Sequence, residues 1–248
     1  MAEALEVPNM KKGDIRISVA IPTYSDLPPE AALSVTRACL VAQKRGYDID
    51  SVGCTQRELL CHARNRIIEG FLSTSATHLF CLDADIVLPN YALTALVEAD
   101  QDVVTGIYFQ KEPPYRPVIM VKGGFSRRRK KERGLHSFII EWPENTIFPI
   151  DAAGMGCCLI KREVFEKIKA PWFAWTEESG EDIGFFMRLR KENVPIFCHS
   201  GVICGHVKSK VVDLSDFKGS NLEVSKQIQV SSGIYAREVI KDGCNIRG

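Results

Sequence analysis

No apolar run in the 248-residue chain approaches the roughly 20 residues that a membrane-spanning helix requires. The opening residues, MAEALEVPNMKKGD, lack the apolar core of a secretory leader. Net charge is nearly absent as well, with 32 Lys and Arg against 31 Asp and Glu. Global charge therefore singles out neither nucleic acid nor a membrane surface as a partner. There is no internal repeat and no low-complexity linker. Disulfide pairing is not indicated: the cysteine count is nine, an odd number, and most of them sit inside apolar runs. Buried thiols in a reducing, cytoplasmic compartment are the expectation. The one local cluster, Cys198, His199, Cys204 and His206, lacks the spacing of a zinc finger or ribbon.

What is present is an ordinary globular composition, 45% hydrophobic and 25% charged, at a length that one core can serve. Short β-branched runs alternate with helical patterns over the first 110 residues. Strands are expected at Ile15–Pro22, Ile49–Cys54, Thr77–Leu82 and Asp102–Tyr108. Helices are expected from Pro29 to about Arg45, over Thr55–Leu72 and over Tyr91–Ala99. This alternation argues for an α/β fold with a mostly parallel, Rossmann-like sheet and helices on both faces. In the second half, strands are expected at Val118–Val121, His136–Trp142, Cys157–Ile160, Pro195–Cys198 and Val202–His206. Helices are expected over Lys161–Ile168 (KREVFEKI) and Ser179–Lys191, and again around Leu222–Lys241. The organisation expected is a flexible segment 1–14, one domain over 15–206 with halves 15–110 and 111–206, and a partly helical tail 207–248.

The segment CLDADIVLP (Cys81–Pro89) puts two aspartates one residue apart at the end of the third strand. In extended backbone alternate side chains share a face, so Asp83 and Asp85 should point together with Ala84 opposite. Open α/β sheets bind ligands just beyond such strand ends. Two carboxylates there suit a hard divalent cation, Mg²⁺ or Mn²⁺, shared with phosphate. A helix-capping role is the plain alternative.

Other segments fall in register with this one. VAIPTYSD (Val19–Asp26), CHARNR (Cys61–Arg66), LDADIVLP, DAAGMGCCLIKREVFEKI (Asp151–Ile168) and GEDIGFFMRLRKENVPIFCHSGVICGHV occur in that order. Together they resemble the GT-A glycosyltransferases, especially the family 2-like group that uses nucleotide-diphosphate sugars. The resemblance runs from about Arg16 to His206. It departs from the family at Gly184 and Phe185, where a further acidic residue often follows the Glu-Asp pair.

The resemblance implies a metal-dependent transfer of a sugar from a UDP- or GDP-sugar to an acceptor hydroxyl, with inversion. It implies that Pro22, Thr23, Tyr24 and Asp26 line the nucleotide base, and that Arg64 and Asn65 lie near the nucleotide. Asp83, Ala84 and Gly154 would also contact the donor. Asp83, Asp85 and His206 would hold Mn²⁺ or Mg²⁺, with Asp85 the direct ligand. Asp182 would be the catalytic base, and Glu181 would act as base or orient the acceptor. The residues alone leave alternatives open: Ser179-x-x-Asp182 has the form of a capping box, Arg64 suits a surface salt bridge, and Gly154 and Gly156 suit a tight turn. Trp172, Phe173 and Trp175 suit either an acceptor platform or the core.

Two rival activities share the fold class. A sugar-nucleotide-forming nucleotidyltransferase would be expected to carry a Gly-rich loop after the first strand, and IPTYSDLPPE has no glycine. A non-catalytic nucleotide-sugar-binding module would not need Asp83, Asp85, Asp182 and His206 together. The acceptor is not named by the sequence. Arg127–Arg133 (RRRKKER) carries six basic residues and one acidic. Such a run is either a solvated loop or a contact for an anionic glycan, lipid, protein or nucleic-acid acceptor.

Overall fold

The computed structural model describes residues 12–24, 26–55, 57–122, 136–175, 179–208, 211–219, 230–231 and 234–235. The basic run 127–133 and most of the tail lie outside these residues. After a 3₁₀ turn at Lys12–Asp14 the chain runs through β1 (Arg16–Pro22), α1 (Pro29–Lys44), β2 (Asp48–Thr55), α2 (Leu60–Leu72), β3 (His78–Leu82) and β4 (Ile86–Val87). It continues through α3 (Ala92–Glu98), β5 (Val103–Ile107), β6 (Ile119–Lys122), β7 (His136–Phe138), β8 (Ile147–Ile150) and β9 (Ala152–Ala153). Then come β10 (Cys157–Lys161), α4 (Arg162–Lys167), α5 (Glu181–Lys191), β11 (Ile196–Ile203), β12 (Gly205–Val207), β13 (Val211–Val212) and α6 (Leu214–Gly219). Two short strands, β14 (Val230–Ser231) and β15 (Ile234–Tyr235), pair antiparallel where a helix is expected from the sequence. Val, Ile and Tyr favour extended backbone, which is the local reason.

Seven strands form the central sheet in the order β2-β1-β3-β10-β5-β11-β8. β1 pairs parallel with both β2 and β3, and β11 pairs parallel with β5. β10 lies antiparallel between β3 and β5, and β8 antiparallel on β11. Five strands therefore share one direction. This is a mixed α/β fold of GT-A type with a mostly parallel sheet drawing strands from both halves of the chain.

Strand alternation builds two cores, one on each face. Ile17, Val19 and Ile21 of β1 pack with Val35 and Ala38 of α1 and Leu93 and Leu96 of α3. Ala20, Leu79 and Cys81 face the other way, towards Ile68 and Phe71 of α2, Phe165 of α4 and Phe185 of α5. On α5, Phe185, Phe186 and Leu189 are buried and Ile183 packs partly buried against the same core, while Met187 is only half-buried. Burying a residue the size of Phe or Leu contributes about 1.5–3 kcal/mol, so these two layers fix the sheet and the helix ends it carries.

Several boundaries differ from expectation for local reasons. α2 begins at Leu60 because Thr55 still pairs with Pro22 in the sheet and Arg57 takes a positive φ of 55°. β8 carries Pro149, a poor ladder residue, and lies at the sheet edge, where proline is tolerated. β11 joins the two strands expected separately, with a register shift against β5 between Cys198 and Ile203. Seven of the eight described cysteines are buried free thiols, and Cys54 is exposed. No described helix is long and apolar enough to cross a membrane.

Candidate active site

The parallel strands β1, β3, β5 and β11 end on one rim of the sheet. Thr23, Asp83, Phe109 and His206 lie within a few residues of those ends, and β10 starts there after Gly154 and Gly156. Asp83 and Asp85 do not continue the strand. The Ile86 amide donates to the Asp83 carbonyl at 3.1 Å, closing a turn over the doublet. Aspartate favours such turns. The alternation expected for extended backbone therefore does not apply, and the two carboxylates meet different partners.

Asp83 belongs to a cluster organised by Arg64. That guanidinium, only 4% exposed, donates from Nη2 to Asp83 Oδ1 at 2.9 Å and from Nη1 to Glu181 Oε1 at 2.5 Å. It also lies over the Phe173 ring, 5.5 Å from the centroid. Burial opposes its charge, yet Asp83, Glu181 and Asp182 outweigh burial and hold its pKa above the ordinary value. Arg64 is thus not the surface salt bridge that the residues alone suggest. It is the buried tie between the end of β3 and the first turn of α5.

Asp182 lies next to this tie. α5 is preceded by Gly180 as its N-cap, with no side-chain capping bond, so the capping box expected from Ser179 is not the geometry found. Asp182 Oδ1 accepts from the Ile183 amide at 2.7 Å. Burial lifts its pKa, Glu181 and Asp83 add to the lift, and Arg64 and the Ile183 amide only partly offset it. A carboxyl held above its usual range is a better proton acceptor than an ordinary aspartate. Glu181 differs: it is 4% exposed and bonded to Arg64, which makes it a strut rather than a group facing an acceptor.

Asp85 sits in a second arrangement. Lys111 Nζ bonds its Oδ2, and His206 Nε2 lies 3.3 Å from its Oδ1. Burial would raise the Asp85 pKa, but hydrogen bonds from His206 and Lys111 prevail and bring it from 3.8 to about 2. His206 Nδ1 is 2.6 Å from the Phe109 carbonyl, which can only accept, so Nδ1 carries a proton. Nε2 then meets Asp85 as a donor in the imidazolium, or as a lone pair in the neutral ring.

That outer bond to a carbonyl is the arrangement that orients a metal-ligating histidine. Asp85 and His206 therefore offer one oxygen and one nitrogen donor suited to Mn²⁺ or Mg²⁺. Asp83, expected as a third ligand, has one oxygen committed to Arg64. Among the described residues no group of three or more His, Cys, Asp or Glu is placed to hold a metal ion.

The remaining expected contacts divide. Pro22 ends β1, and buried Thr23 donates from Oγ1 to the Thr55 carbonyl. Tyr24 is 74% exposed, and Asp26 is exposed too. Ala84 is partly buried against the α1–α3 core. Asn65 is fully engaged by protein: Nδ2 donates to the Cys61 and Phe173 carbonyls at 2.8 and 2.7 Å, and Oδ1 accepts from the Phe173 amide at 3.1 Å. It pins the Trp172–Trp175 segment instead of facing a ligand. Trp172 and Phe173 are core, while Trp175 is 67% exposed.

Two residues not singled out from the sequence complete the site. Tyr108 is buried, and its ring explains two glycines. A Cβ on Gly154 would lie 1.8 Å from its hydroxyl, and one on Gly156 2.8 Å from its Cζ. The space left by these glycines is filled by Tyr108 and not held open for a sugar. Lys111 is the other; its only sequence signal is a basic residue shortly after a strand that ends on the ligand-binding rim. A concavity of about 700 Å³ lies elsewhere, lined by Trp142, Ser200, Gly201, Leu214 and Phe217 among others, and no residue of the doublet borders it. Among the described residues this volume and the charged cluster at the strand ends are thus separate.

No protein-family model matches the chain, and no curated relative matches it. Solved structures do resemble it. The crystal structure of A197 from STIV is 21% identical, with a TM-score of 0.54 over 78% of this chain and 86% of that one. The crystal structure of GalNAc-T7 with UDP, GalNAc and Mn²⁺ is 13% identical, with a TM-score of 0.52 over 82% of this chain. The match spans 47% of the GalNAc-T7 chain, about half its length. At these identities the likeness is one of fold.

Proposed function

We propose that the chain is a metal-dependent glycosyltransferase that moves a sugar from a UDP- or GDP-sugar to an acceptor hydroxyl with inversion. The observation that carries this reading is the pairing of Asp182 with Asp83. A carboxyl with raised proton affinity shares the Arg64 cluster with Asp83, the first member of the acidic doublet, at the carboxyl end of a parallel strand. The resemblance of the five sequence segments and the fold likeness to a protein solved with UDP, GalNAc and Mn²⁺ support it.

In this mechanism Asp182 accepts the proton of the acceptor hydroxyl while that oxygen attacks the anomeric carbon. The bond from that carbon to the diphosphate oxygen breaks, and its electron pair leaves with the nucleoside diphosphate. Arg64 and Glu181 hold Asp83 and the start of α5 at fixed separation, which keeps base and donor in register. Asp85 and His206 would hold a divalent cation that offsets the charge developing on the diphosphate. Tyr24 and Asp26, exposed beyond β1, remain the proposed contacts of the nucleotide base.

The experiment is a release assay across a panel of UDP- and GDP-sugars with Mn²⁺. Nucleoside diphosphate should be released, and Asp182→Asn should slow transfer by about 10²-fold or more while donor affinity is retained. Full activity in Asp182→Asn, or no release with any donor, sinks the proposal. Release of pyrophosphate from a nucleoside triphosphate and a sugar phosphate would assign the site to nucleotidyl transfer instead.

A further inference from the structure

The two aspartates of the doublet have counter-ions of opposite character. Arg64, on Asp83, is 4% exposed and tied to Glu181 as well. Lys111, on Asp85, has a side chain 35% exposed and a single carboxylate partner among its ion pairs. Its backbone, however, is fixed. It stands at the start of a turn closed by Gln110 N–H to the Arg116 carbonyl and Tyr115 N–H to the Glu112 carbonyl, each at 2.9 Å. The Lys111 carbonyl accepts from Lys208 Nζ at 3.2 Å, and Lys208 also pairs with Glu112 at 2.6 Å. A long flexible stem therefore rises from an anchored base towards Asp85. Its ammonium occupies the carboxylate that, with His206, fits a divalent cation.

We propose that Lys111 is a displaceable counter-ion: it holds Asp85 until the diphosphate of a bound donor draws the ammonium away, and a divalent cation then takes its place. This rests on the donor-binding reading above. The ammonium and the metal compete for one carboxylate and repel each other, so either excludes the other in the free protein. A diphosphate changes the balance because it supplies a second anionic partner for the lysine. Metal and nucleotide then bind with positive coupling, each improving the affinity of the other by the same factor. The local charge also stays near neutral at each stage, since Asp85 is never left without a cation.

The test is Mn²⁺ titration of the full chain, followed by the loss of the free-ion EPR signal, alone and with saturating UDP or GDP. The wild-type protein should bind Mn²⁺ weakly alone and more tightly with nucleotide. Lys111→Met and Lys111→Gln should bind Mn²⁺ alone roughly two- to fivefold more tightly, the worth of one part-exposed ion pair. They should also bind nucleotide without metal less tightly, so that the coupling factor shrinks, while Lys111→Arg keeps the wild-type pattern. Melting curves establish that each variant is folded. Unchanged or weaker Mn²⁺ binding in both neutral variants overturns the proposal while leaving the donor reading intact. Absence of Mn²⁺ and nucleotide binding in wild type and variants alike overturns both.

Discussion

Replacing Arg64 by Met tests whether the buried tie between β3 and α5 is as consequential as its geometry implies. The change removes a guanidinium that is 4% exposed and leaves Glu181, also 4% exposed, without its partner. Breaking a buried pair in this way costs about 3–5 kcal/mol, because the stranded charge keeps its desolvation penalty. That is a large share of the roughly 5–15 kcal/mol that stabilises a typical domain. Burial then favours the protonated carboxyl, so the deficit should narrow as pH falls towards 4. The companion Arg64→Met/Glu181→Leu removes both ends and should recover most of the loss, since an apolar pair of similar volume is often neutral or better. Asp83 keeps access to water, with a side chain 27% exposed, so it adds little to the penalty. Urea unfolding at pH 7 and pH 4 reads all of this from the midpoints. A single variant within about 1 kcal/mol of wild type at pH 7, or a loss that is the same at both pH values, would refute the reasoning.

Asn65→Ala should cost about 2–3 kcal/mol in urea unfolding, since it strands the amide and carbonyl of Phe173; a loss under about 0.5 kcal/mol would show that water replaces the clamp. His78 is 4% exposed, and burial followed by Lys161 brings its pKa from 6.5 to about 4 against Asp100. A lowered folded pKa gives stability that is present above 6.5 and lost as pH falls towards 4. Wild type should therefore lose about 3 kcal/mol over that window through this group, and His78→Gln should remove that part of the pH dependence. Gly154→Ala places a Cβ 1.8 Å from the Tyr108 hydroxyl and should cost about 1–3 kcal/mol. Adding Tyr108→Phe should return part of the loss in thermal melts; no recovery would mean that the ring, 2.9 Å away at Cζ, or Val118 carries the clash.

The inner strands β1, β3, β5 and β10 were legible because they are short apolar runs buried on both faces. Ile17, Val19 and Ile21 against Ala20 is a pattern that only a two-faced core explains. The strands that escaped notice are those whose order depends on partners. β4 is two residues long and exists because its Val87 and Ile86 pair with Gly205 and His206 of β12, the end of a stretch expected as strand. Within the site, the identities of the acidic residues were readable, but their pairings were not. Arg64 and Glu181 are 117 positions apart, and nothing local records that they touch. Asn65 and Phe173 are 108 apart. Lys111 was missed because a lone lysine in a Pro-rich turn carries no spacing that marks it as a counter-ion. The doublet misled in one respect: a two-residue period holds only while the strand lasts, and it ends at Leu82.

The neighbouring carboxylates of LDAD thus occupy two electrostatic settings separated by one turn. Around Arg64 stand Asp83, Glu181 and Asp182, three carboxylates to one guanidinium, so that cluster holds a surplus of negative charge and pushes the proton affinity of Asp182 upward. Around Asp85 stand Lys111 and His206, which push its proton affinity the other way. The divergence follows from surroundings and not from the residue type, since Asp182 and Asp85 are both aspartates. The proposed transfer needs both a group that accepts a proton and a group that stays ionised beside a cation. Opposite shifts within one rim of the sheet meet both needs without any residue changing role. For that reason Asp182→Asn and Asp85→Asn should fail differently. The first should lose turnover with donor still bound, and the second should lose metal-assisted donor binding before turnover can be measured.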